Sequence, residues 1–237
     1  MSDWQPKRFW KLADVAEADG GYSVELDGRP VRTPSKALLV MPSRAMAEAV
    51  AAEWNAQEEK LRPDTMPLTR TMNSAIDKVM PQKAEVAALL AAYGETDLLC
   101  HRADQPAGLV ARQAAGWDPL LDWADEFLGA RLVPVAGIIA ADQDATALAR
   151  LADQVLALDV YRLAAFHDLV SLTGSLVLGF AALHDLRPAE DLWNLSRIDE
   201  DWQVEKWGHD DEADAHTLLK KQAFLDAALI VSLLACD

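Results

Sequence analysis

Cysteine is nearly missing from this chain: Cys100 and Cys236 are the two copies in 237 residues. With no CxxC and no paired spacing, neither a disulfide framework nor a cysteine zinc knuckle is expected. Long apolar runs are missing too. The longest uncharged one, Leu169 to Leu183, is fifteen residues and holds Ser171, Thr173, Gly174 and Ser175. That is too short to span a bilayer and reads as a buried helix. The opening MSDWQPKRFWK has no apolar core segment, so no secretory signal is expected. Positive charge is in deficit: 22 Lys and Arg face 38 Asp and Glu, for a net charge of −16. Such a chain repels nucleic-acid backbones and anionic membrane surfaces. Phosphate-binding patterns (GxxxxGK[ST], GxGxxG) are absent, as are HExxH and GxSxG. These absences predict a cytoplasmic protein with no nucleic acid, no membrane insertion, no metal and no cofactor.

What is present is a globular composition, 51% hydrophobic and 25% charged, long enough for a sizeable core. Tyr22, Val24 and Leu26 alternate with polar residues, and Asp19-Gly20-Gly21 and Asp27-Gly28 are turn signals. A small antiparallel sheet is predicted over about 8–41, with a first strand around Phe9, Trp10, Leu12 and Val15. The period then shifts to 3.6. Ser43 caps a helix carrying Met46, Val50 and Trp54, and helices follow over about 68–79, 82–93, 106–128, 143–158, 160–184, 188–207 and 210–234. RLVPVAG at 131–137 reads as a short extended link. The fold class is α+β: a small N-terminal antiparallel β domain (1–75) and a larger, mostly α-helical domain (76–237). Ser171, Ser175 and Gly179 form a small-residue ridge on the apolar helix 160–184, a packing feature.

The densest polar stretch is WQVEKWGHDDEADAH, 202–216. It lies inside the most acidic region, where Asp185 to His216 carries eleven acids and three bases. His209, Asp210, Asp211, Glu212 and His216 are possible metal ligands, yet no second cluster supplies the rest of a coordination shell. Asp210, Asp211, Glu212 and Asp214 also suit a helix's first turn, whose dipole favours acids. A metal-dependent hydrolase, or a cysteine hydrolase using Cys100, is the rival reading from these residues; a scaffold for some other client is a third. Over 190–207, Leu192, Leu195, Ile198 and Trp202 make one helical stripe. Trp193 and Trp207, fourteen apart, return to a second face with Arg197, Glu200 and Val204. Aromatics and arginine rimmed by charge compose a protein-binding patch.

Four stretches together resemble a known family: AAEWNAQ (51–57), MPLTRTMNSAIDKV (66–79), ETDLLCHRADQPAGLVARQAAGWDPLLDW (95–123) and VEKWGHDDEA (204–213). They are similar to the assembly chaperones for the alpha subunit of the F-type ATP synthase catalytic head. The resemblance implies an N-terminal β domain with a helical C-terminal domain. It implies a chaperone, not an enzyme, that holds the free alpha subunit against aggregation until the beta subunit docks. It further implies a functionally sensitive acid after the tryptophan–glycine pair, here Asp211 or Glu212, and a structural tryptophan at Trp54. Eukaryotic members carry glutamate at the position aligned with Asp211. The expected partner surface is Trp207, Asp210, Asp211 and Glu212, with Trp193 and Arg197 beside it. The protein is expected to be a monomer when free.

Overall fold

The structure, a computed structural model, describes residues 7–137 and 141–236. The chain groups into two compact units. One is Met1–Lys83 with Asp159–Ala165 and Leu229–Asp237; the other is Ala84–Leu158 with Phe166–Ala228. The boundary expected at 75/76 falls inside the first unit, which two later segments join.

In the first unit, strands β1 (Ala13–Ala18) and β2 (Gly21–Leu26) form an antiparallel hairpin, Val15 opposite Val24. Strand β3 (Arg29–Pro30) continues through the Asp27-Gly28 turn, and β4 (Val40–Met41) pairs with β2. The strand expected around Phe9 and Trp10 begins only at Ala13; Lys7 makes an isolated bridge with Lys60. The side chain of Asp27 accepts from the amides of Lys11 and Leu12, which holds that segment without strand pairing.

Helix α1 (Arg44–Asn55) starts at Ser43, whose Oγ accepts from the Met46 amide. It buries Met46, Ala47, Val50 and Ala51 against the hairpin. Its last turn ties the unit together. Asn55 exchanges two 2.8 Å hydrogen bonds with the backbone of Ala13. Glu53 accepts from the amides of Leu68 and Thr69 and from the Thr69 hydroxyl, so it caps α2 (Pro67–Ser74) from outside. The Trp54 ring meets buried Trp10 edge-on at 5.1 Å. After α2 the chain runs through a π turn and a 3-10 turn into α3 (Lys83–Ala91). Asp77, in the π turn, accepts from the Thr33 hydroxyl and the Ser35 amide. The later segments bring Tyr161, whose hydroxyl donates to the Val40 carbonyl, and Leu233, whose carbonyl accepts from Ser43.

Among the described residues, the second unit is helical apart from a two-stranded parallel ladder, β5 (His101–Arg102) with β6 (Val135–Ala136), and connecting segments. Its core surrounds α4 (Ala107–Leu128), α5 (Ala145–Ala157) and the apolar stretch expected as one helix over 160–184. That stretch is two helices, α6 (Val160–Thr173) and α7 (Leu176–Leu183). Gly174 adopts φ +72 and ends the first; Ser175 caps the second, accepting from the Leu178 amide. Fully buried Asp97 accepts from the Ser175 hydroxyl and the Val177 and Leu99 amides. Burial pushes its carboxyl above the ordinary range, against the pull of those hydrogen bonds. The expected small-residue ridge is therefore interrupted. Ser171 is exposed and Ser175 is a cap, while Gly179 alone permits a close approach: a Cβ there would stand 2.6 Å from Val170 Cγ2. Among the described residues, no helix is long and apolar enough to cross a membrane.

Candidate functional site: the α9–α10 junction

The helix expected over 188–207 is likewise two, α8 (Ala189–Ser196) and α9 (Ile198–Trp207), broken at Arg197. The break voids the angular relation drawn between Trp193 and Trp207. Trp193 is 3% exposed and packs 5.8 Å from the ring of Phe224, so it belongs to the core and not to a partner surface. Arg197 is largely covered: it pairs with Glu200 at 2.8 Å and lies 5.9 Å from the Trp193 ring. Trp207 is the opposite case, 80% exposed at the last position of α9.

Helix α9 is fastened to α4 by notches that sequence reasoning missed. A Cβ on Gly108 would stand 2.7 Å from the Trp202 ring, and one on Gly116 would stand 2.8 Å from Ile198. Gly116 lies mid-helix, where glycine is otherwise unfavourable, and that was the available signal; Gly108 sits in the first turn of α4 and gave none. Arg112 and Lys206 lie 4.9 and 4.8 Å from the Trp202 ring centre, and Arg112 grips Glu205 with two hydrogen bonds of 2.7 and 3.0 Å. Gln113 donates to Asp199 at 2.6 Å and accepts from the Ala103 amide. Between these elements runs an open groove of about 720 Å³, walled by His101, Pro106, Leu109, Trp202, Lys206 and Trp207.

Gly208, at φ +92, ends α9, and α10 (Asp211–Ala235) begins three residues on. Asp210 is committed to that start: its Oδ1 accepts from the Glu212 and Ala213 amides at 2.9 and 3.0 Å. His209 pairs with Asp214 at 2.9 Å. Asp211 and Glu212 are exposed, and among the described residues neither side chain forms a hydrogen bond or ion pair. The junction thus presents one large aromatic and two uncommitted carboxylates. Leu218 and Leu219, 67% and 70% exposed, continue the surface along α10.

The chemistry weighed against a binding surface finds no geometry. Among the described residues, no group of three or more His, Cys, Asp or Glu is placed to hold a metal ion. Cys100 is buried, and its thiol is pushed up to about 12 by burial and by Asp97, so it is not a thiolate at neutral pH. His101, its chain neighbour, is exposed.

Comparisons with known proteins identify the family. The model of the ATP12 chaperone protein family matches residues 7–125. The crystal structure of Atp12 from Paracoccus denitrificans is 47% identical, covers 96% of this chain and 98% of that chain, and superposes with a TM-score of 0.94. An aspartate-to-lysine variant of the same protein matches at 46% identity, 96% and 97% coverage and a TM-score of 0.94. The mitochondrial atp12 protein of Schizosaccharomyces pombe is 27% identical over 219 residues, 87% of this chain and 75% of that protein. Matched by the family model over half its length and by a bacterial relative nearly end to end, the chain belongs to the ATP12 chaperone family.

Proposed function

We propose that this chaperone holds the free alpha subunit of the F-type ATP synthase catalytic head in the cytoplasm and releases it when the beta subunit docks, with no catalytic step of its own. The observation that carries the reading is the α9–α10 junction, where Trp207 stands 80% exposed beside Asp211 and Glu212. A subunit awaiting its partner exposes an interface that is partly apolar. An aromatic anchor with flanking acids covers such a surface with moderate affinity, and a larger interface then displaces it. The acids speed encounter with basic patches and make binding weaken as salt rises.

The test is co-expression with separately produced alpha subunit, reading how much alpha stays soluble and co-purifies. Wild type should keep alpha in solution; Trp207→Ser and the Asp211→Lys plus Glu212→Lys variant should lose most of that capture. Single substitutions decide between Asp211 and Glu212. If alpha aggregates equally with and without the protein, the function is wrong. If the double charge reversal captures alpha as wild type does, the site is wrong.

A further inference from the structure

The far end of α4 carries an aromatic surface that the junction does not use. Trp123 and Phe127, one turn apart, stack with ring centres 5.3 Å apart and 14° between planes. His184, directly after α7, meets Phe127 edge-on at 4.9 Å and stands 6.2 Å from Trp123. Phe127 is 59% exposed, and Leu186, two residues after His184, is 36% exposed. Rings of this size are normally covered, and here Phe127 is open to solvent while its stacking partner Trp123 is half-buried. Two carboxylates flank these rings in the chain: Glu126 precedes Phe127 and Asp185 follows His184, and both are exposed. Among the described residues, neither forms an ion pair. His184 adds no opposing charge, because partial burial holds its pKa below the ordinary value.

We infer that this surface receives a lysine or arginine side chain carried on an apolar segment of a partner protein. The aliphatic stem packs on Phe127 and Trp123, the cation lies against the ring faces, and its head reaches the carboxylates. The ring quadrupoles and the carboxylates pull a cation the same way. The same charges disfavour other occupants. A second copy of this −16 chain would set carboxylate against carboxylate, and anionic lipid or nucleic acid would meet the same repulsion. Identifying the partner with the alpha subunit rests on the function proposed above; the chemistry of the surface does not.

The experiment has two arms, both on the full chain. In the first, the probe is a synthetic peptide alternating arginine and leucine, with a glutamate–leucine peptide as control, and binding is followed by calorimetry. Phe127→Ser leaves the net charge unchanged at an exposed position and should weaken arginine-peptide binding roughly tenfold. Phe127→Tyr should retain it, and thermal unfolding confirms that each variant is folded. Equal binding of the arginine peptide by wild type and Phe127→Ser, a preference for the glutamate peptide, or self-association of the wild type abolished by Phe127→Ser overturns the inference. In the second arm the same variants meet the alpha subunit. Capture by wild type but not by Phe127→Ser places alpha on this surface. Equal capture removes alpha from this surface and leaves the proposed function standing. No capture by wild type removes the function, and the peptide arm alone decides the surface.

Discussion

Two stretches of this chain each carry one tryptophan and four acids, and they do opposite things. Between Glu53 and Thr69 three polar side chains are each answered more than once: Glu53 by three donors of the next helix, Asn55 by both backbone groups of Ala13, Gln57 by the Arg62 amide and the Thr65 hydroxyl. Between Trp207 and Leu219 the aromatic ring, two carboxylates and two leucines face solvent without internal partners. The first stretch is a lock and the second a surface. Density of chemistry-bearing residues does not separate the two; what separates them is whether the folded chain already satisfies those groups.

That contrast can be broken by measurement. Glu53→Ala leaves two helix-start amides and a hydroxyl without their acceptor, and should cost about 2–3 kcal/mol in denaturant unfolding. The fraction still folded should capture alpha subunit normally; lost capture by folded protein would make Glu53 part of the surface. Asp77→Asn tests the other lock of the first unit. Hydrogen bonds from Thr33 and then Ser35 hold the Asp77 pKa below its ordinary 3.8. The carboxylate's contribution is therefore complete above 3.8 and is lost as pH falls through the folded-state pKa. The melting temperature of Asp77→Asn should lie below wild type at neutral pH, and the gap should close in acid; a gap independent of pH would refute the assignment. The smallest effect belongs to the surface: Trp207→Ser should move stability by no more than about 0.5 kcal/mol. A larger loss would mean that Trp207 is packed, and the contrast would collapse.

Much of the architecture was legible. Turn signals at Asp19-Gly20 and Asp27-Gly28, the Ser43 cap and the change of period near residue 43 all stand where the pattern put them. Two long helices did not survive, for a shared reason. Periodicity continues through Gly174 and through Arg197, while the breaks there are set by partners distant in sequence, as with Asp97 receiving Ser175. Once α8 and α9 part company, no angular count can place Trp193, which lies in the core. The acids after Trp207 were legible as a helix start, but only the structure separates Asp210, bound in the cap, from uncommitted Asp211 and Glu212. The four-residue spacing of Trp123 and Phe127 lies open in the sequence, but the approach of His184 to them from the end of α7 does not.

The hydroxyl of Ser43 donates to the carbonyl of Leu233, 190 residues later. During synthesis the sheet and α1 therefore emerge long before the strand of contacts that completes their unit. At about 5–20 residues per second, the delay is roughly 10–40 seconds. Through that interval the first unit lacks the cover of Ile230, Val231 and Leu234, all buried in the finished fold. A protein whose family guards unassembled chains thus begins its own existence as one, with an apolar surface waiting for a segment not yet made.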